Sequence, residues 1–172
     1  MKGKEGINIL TEQDIQYLTD FHRSILESET KRDKPNMRVF KILKRFASIS
    51  KRVEGLTSYF KGFSMDTDAM SWVMKMYENS PPNTDEYRAI ANVVKSYTAA
   101  QIWLGYFFSL VNSMNHNLSL RRLTSAEHIL RKMELEVERS RRIFKEFNRN
   151  VKELRSVIIG SHEDVPDLTY FK

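Results

Sequence analysis

The chain has 172 residues, no cysteine, a formal net charge of +6 and 29% charged residues. The missing cysteine excludes a disulfide framework, a thiolate nucleophile and a cysteine metal cluster. With only 6 glycines and 4 prolines, an all-β sandwich would lack its turns. A chain of this length can bury a core without such staples, and its basic balance points to an acidic partner.

Met1-Lys2-Gly3-Lys4-Glu5-Gly6 is basic, but no apolar signal-peptide core follows. The expectation is a cytoplasmic protein with one helical-bundle domain over 1–160 and an irregular tail over 161–172. Thr11-Glu12-Gln13-Asp14 reads as an N-cap and acidic first turn. Ile15, Leu18, His22 and Ile25 then share one helical face, which predicts a first helix from Thr11 to about Thr30. His22 on that face reads as a partly buried, hydrogen-bonded histidine, because no second histidine stands four residues on to make a metal pair.

Lys31-Arg32-Asp33-Lys34-Pro35-Asn36 forms a charged turn. Val39, Ile42, Phe46, Ile49, Val53, Leu56, Phe60 and Phe63 then step by 3 and 4, a coiled-coil-like seam. This second helix is expected to stop near Gly62 and Phe63. Ser64 to Asp68 offers a new cap for a short helix over Ala69 to Tyr77, whose methionines read as core gap-fillers. Asn79-Ser80-Pro81-Pro82-Asn83 breaks the chain.

A central helix follows from Thr84-Asp85-Glu86 to about Asn115-His116-Asn117. Tyr87, Ile90, Val94, Tyr97, Gln101, Leu104, Phe108 and Val111 are its expected seam, with Ala99, Ala100, Trp103 and Phe107 widening it. From Ser96 to Leu120 there is no Asp, Glu, Lys or Arg. That is long enough to cross a bilayer, but Thr98, Gln101, Asn112, Asn115 and Asn117 interrupt it, and polar groups in lipid are costly. The reading is therefore no membrane span but a bundle helix contacted on all sides, with Leu104 and Phe108 in the core.

Thr124-Ser125-Ala126-Glu127 has the form of a capping box. Ala126, Leu130, Met133, Val137, Ser140, Phe144, Phe147, Val151, Leu154 and Ile158 carry one seam to a C′ glycine at Gly160. The resulting last helix is about 50 Å long. Its seam outruns the first helix, which predicts that self-association covers the surplus. The fold class that follows is all-α: an up-and-down helical bundle of four main helices plus one short helix, with a long C-terminal helix.

No nucleotide, hydrolase or zinc signature is present. Glu127 and His128 are adjacent rather than three apart, unlike the ligands of di-iron bundles. No metal or cofactor is expected. The spacing Arg122 to His128, at the start of a helix that follows an apolar one, resembles the arginine–histidine pattern of the HEPN-family ribonucleases, and so does Arg155 to His162. The resemblance implies His128 as a general base and Arg122 on a phosphate.

Charge is unevenly placed. From Lys31 to Arg52 nine basic residues stand against Asp33, and from Arg139 to Arg155 seven stand against Glu146 and Glu153. The remainder is net acidic. Lys41, Lys44, Lys51 and Arg52 lie away from the second helix's seam, and Arg142, Lys145, Arg149 and Lys152 away from the last helix's. Such stripes are footprints of phosphate-backbone binding. They predict a non-enzymatic bundle that binds nucleic acid through these eight residues without sequence readout. The alternative is an assembly or adaptor subunit, a homo-oligomer or part of a larger complex, using its seams and aromatic tail. A HEPN-like ribonuclease stands third.

Overall fold

The computed structural model describes residues 9–158. The expected tail 161–172, Gly160 and His162 lie outside the described residues. Every regular element described is helical: α1 (Glu12–Gln16), α2 (Asp20–Thr30), α3 (Met37–Met65), α4 (Thr67–Asn79), α5 (Asp85–Ser119) and α6 (Leu123–Ile158). The all-α bundle is as the seams indicate. No described helix is long and apolar enough to cross a membrane.

The single first helix expected from Thr11 to Thr30 is two. Thr11 and Asp14 close a capping box at α1, and Thr19 and His22 close a second at α2. Thr19 competes for the backbone with its own side chain, as a good N-cap does, and the helix restarts. The second helix also differs, running through Gly62 to Met65 before Asp66 caps α4 by accepting from Asp68 and Ala69 N–H at 3.0 Å each. Asn83, at φ 73, turns the chain toward α5, where Thr84 Oγ1 accepts from Tyr87 N–H. Tyr77 stacks on Tyr87 at 5.5 Å across that turn.

α5 closes on a left-handed residue that is not glycine. Arg121 has φ 55; its N–H reaches Leu118 O, and Arg122 N–H reaches Asn117 O at 2.8 Å. That is the paired bonding of a Schellman motif, which an arginine adopts at a steric cost. The compensation is Glu29, 1% exposed. It accepts from Arg121 Nη1 at 2.9 Å and from Asn36 N–H at 2.7 Å, with Arg32 at 3.5 Å. Burial alone would push the Glu29 carboxyl up; Arg121, Asn36 and Arg32 outweigh it and hold it below its ordinary value.

Two compact units share the long helices. Unit 1 takes residues 1–55 and 106–138, and unit 2 takes 56–105 and 139–172. In unit 1, Leu18, Val39, Ile42, Phe46, Phe107, Met114, Leu130 and Met133 are buried. His22 is fully buried among them, 4.2 Å from the Phe46 ring. Its Nδ1 accepts from Thr19 and its Nε2–H donates to Asn115 Oδ1 at 2.7 Å. In unit 2, Phe147 packs on Phe60 at 5.2 Å and Phe63 at 5.3 Å, and Trp103 meets Phe144 edge-on at 5.4 Å. Asn150 is buried there too, donating to Asn92 O and Ser96 Oγ.

The α6 seam is buried at every position from Ala126 to Ile158. The surplus apolar edge expected on α6 is therefore covered within the chain. α5 differs from expectation in the opposite sense. Its core side is Ile90, Val93, Ser96, Ala100, Trp103, Phe107, Leu110, Met114 and Leu118, whereas Gln101 and Phe108 are exposed and Leu104 is half-buried. The buried stripe is rotated by one residue, because Trp103 and Phe107 bring more apolar surface inward than Leu104 and Phe108 would.

Two outcomes follow. Phe144→Ala should cost about 3–5 kcal/mol in urea unfolding, and Phe108→Ala under about 1 kcal/mol. Burial holds the His22 imidazole's pKa below its ordinary 6.5, with Asn115 opposing only in part. The unfolded chain then takes up the proton first. The stability His22 contributes is intact above that ordinary value and is lost as pH falls from there toward the folded one. The urea midpoint should drop as pH falls below 6.5, and His22→Gln should flatten that slope.

Candidate nucleic-acid interface

The eight basic residues divide between the units. Lys41, Lys44, Lys51 and Arg52 lie on α3 in unit 1; Arg142, Lys145, Arg149 and Lys152 lie on α6 in unit 2. Their surroundings differ.

In unit 1, α3 and α6 run in the same direction, joined by a ladder of ion pairs. Arg38 donates to Glu127, Arg45 to Glu134 at 2.9 Å, and Arg52 to Glu138. The first two are bidentate, with Nε and Nη2 on separate carboxylate oxygens. Arg38 also donates to Thr124 Oγ1, so Thr124 and Glu127 serve the ladder instead of the capping box expected of them. Hydrogen bonding to Arg38 holds the Glu127 carboxyl low and pushes Arg38 up, and hydrogen bonding to Glu134 pushes Arg45 up. Much of the α3 charge is thus matched by the chain's own glutamates. On the other side of α3, Asp14 is held below the ordinary range first by the Thr11 N–H and then by Lys44 and Lys51. A cavity of about 190 Å³ there is lined by Gln13, Asp14, Tyr17, Ala47, Ser48 and Lys51. Lys41, Lys44 and Lys51 are exposed, while Arg52 belongs to the ladder.

In unit 2, Arg142, Lys145, Arg149 and Lys152 are exposed and step by 3, 4, 3 along α6, opposite Phe144, Phe147, Val151 and Leu154. Arg149 has a long 3.6 Å contact to Glu153, one turn on. Among the described residues, Arg142, Lys145 and Lys152 have no ion pair. The ten steps from Arg142 to Lys152 rise about 15 Å, a length along which one nucleic-acid strand presents about four phosphates at roughly 3.4 Å per charge.

Arg122 and His128 are both exposed at the start of α6, and neither lines the cavity beside Asp14. Among the described residues no cluster of three His, Cys, Asp or Glu could hold a metal. The ladder was not anticipated from the sequence, although its signal was present. Arg38, Arg45 and Arg52 recur every seven residues beside the α3 seam, as Glu127 and Glu134 do beside that of α6, the flanking pattern of paired helices. No family model matches the chain, and neither a curated protein nor a solved structure does.

The two kinds of ion pair should separate in stability. Glu134 and Arg45 are each about a third exposed, and exposed pairs contribute little, so Glu134→Gln should cost under about 1 kcal/mol. Glu29→Gln removes a buried carboxylate that accepts from Arg121 and Asn36 N–H, and should cost more, about 1–3 kcal/mol. Chemical denaturation of the two variants side by side measures the difference.

Proposed function

We propose that this chain is a non-enzymatic, cytoplasmic helical-bundle protein that binds the phosphate backbone of nucleic acid through the outward face of α6 in unit 2. The observation that carries the reading is the exposed run Arg142, Lys145, Arg149 and Lys152, in which three cations have no ion pair among the described residues. A carboxylate within reach would neutralise such charges, as Glu127, Glu134 and Glu138 do for the α3 arginines. Cations without one attract polyanions by counterion release. Lys41, Lys44 and Lys51 give unit 1 a weaker, partly compensated positive face.

Lys and Arg spaced along one exposed helix side contact phosphates, which position a protein without specifying sequence. Base readout needs side chains such as Asn or Gln carried into a groove. The Asn side chains of this part of α6 point elsewhere, Asn150 being buried on Ser96.

Fluorescence anisotropy with labelled single-stranded and duplex oligonucleotides tests the reading. Raising salt from about 50 to 200 mM should weaken binding by roughly ten- to a hundredfold, as expected for three or four phosphate contacts. Arg142→Glu with Lys145→Glu should weaken binding to every sequence by about tenfold or more and shallow the salt slope. Both positions are exposed, so the circular dichroism spectrum should not change. Equal binding by parent and double variant at low salt would overturn the proposal.

A further inference from the structure

In unit 2 the cationic line on α6 is narrow, and its two edges differ. At 3.6 residues per turn, Arg142, Lys145, Arg149 and Lys152 fall within about a quarter of the helix circumference. Ser156, also exposed, continues the line. One edge is anionic: Glu146 and Glu153 are exposed there, and Arg149 approaches Glu153 only to 3.6 Å. The aromatic side chains of this part of α6 lie on the opposite side of the helix. Phe144 is 1% exposed and Phe147 has no exposure, and both pack against the Phe60 ring. The exposed positions beside the cations carry carboxylates, a guanidinium at Arg155 and a hydroxyl at Ser156.

We infer that the nucleic acid taken by this face is a duplex, contacted along one line of backbone phosphates from outside its grooves. The inference rests on the phosphate-binding reading and specifies its ligand. A single strand is flexible, and ordering it on a protein surface opposes binding. Proteins that hold single strands offset this by stacking the bases on aromatic side chains. On this face the rings are turned into the core, so the attraction of charge is what remains. A duplex carries one charge per about 1.7 Å of its axis, twice the density of either strand alone. Affinity falls with salt by a logarithmic slope of about 0.9 per phosphate contact on a duplex and about 0.7 on a single strand. Counted from about 1 M salt, three or four contacts then favour the duplex roughly four- to sixfold at about 0.1 M.

The carboxylates determine how the helix lies. A helix seated in a groove has a phosphate strand along each of its sides. Glu146 and Glu153 would face one of those strands, and like charges brought together oppose binding. Laid along the outer edge of one strand, the helix presents its cations to the phosphates and leaves the carboxylate edge in solvent.

The test uses the full chain and fluorescence anisotropy with three labelled ligands: an A·T-rich duplex, one of its strands, and that strand with its bases removed. At about 0.1 M salt the duplex should bind roughly four- to sixfold more tightly than the strand and show the steeper salt slope. The strand should bind equally well with and without its bases. Netropsin in the minor groove and methyl green in the major groove should leave the protein on the duplex. Strand binding as tight as duplex binding, or strand binding weakened by base removal, overturns the inference. The phosphate-binding reading then survives if Arg142→Glu with Lys145→Glu weakens binding to both ligands. Displacement by either groove ligand also overturns the inference, because it places α6 inside that groove. Binding to neither duplex nor strand overturns the inference and the reading beneath it together.

Discussion

One apolar ridge organises the molecule: the side of α6 that runs from Ala126 to Ile158. In unit 1 it presents Leu130, Met133 and Val137, and in unit 2 Phe144, Phe147, Val151 and Leu154, all essentially without exposure. Burying each large side chain contributes about 1.5–3 kcal/mol. The exposed Arg–Glu pairs beside the ridge contribute under about 1 kcal/mol each. The ridge therefore supplies stability, and the ladder on its flank selects direction and register. Parallel α3 and α6 place Arg38, Arg45 and Arg52 beside Glu127, Glu134 and Glu138. Reversing one helix would set basic residues of α3 against the basic end of α6.

Buried polar groups refine what the ridge leaves loose. His22, Glu29 and Asn150 are each buried and each hydrogen-bonded. Their partners are far apart in sequence: Asn115 for His22, Arg121 for Glu29, Ser96 and Asn92 for Asn150. A slip of one residue along any of these helices would leave an unpaired polar group in the core, at about 1–3 kcal/mol each. Apolar packing alone tolerates such slips far better.

The amphipathic helices were legible in the sequence and the uncharged one was not. On α6 the charges mark the outside, so the seam from Ala126 to Ile158 reads off directly. The same holds for Val39 to Ile49 on α3. On α5 from Ser96 to Leu120 nothing polar enough marks an outside. Two stripes one residue apart were both apolar, and the choice between Phe107 and Phe108 depended on tertiary contacts such as Trp103 with Phe144. The break between α1 and α2 was hidden because Ile15, Leu18, His22 and Ile25 keep helical spacing across it; only Thr19 signals the new start. For the basic residues, sequence showed where charge is dense but not which cations meet a carboxylate. That depended on the α3–α6 pairing of residues some 86 to 89 positions apart.

That separation governs when the chain can fold as it leaves the ribosome. Each compact unit combines early residues with a portion of α6, so neither can close its core until the last helix has emerged. At about 5–20 residues per second, roughly ten seconds pass between the appearance of α3 and that of α6. Throughout that interval Val39, Ile42, Phe46 and Ile49 have no α6 to cover them. The chain is made with its apolar surface waiting for its final segment, and a truncation inside α6 removes part of the core from a chain already committed to needing it.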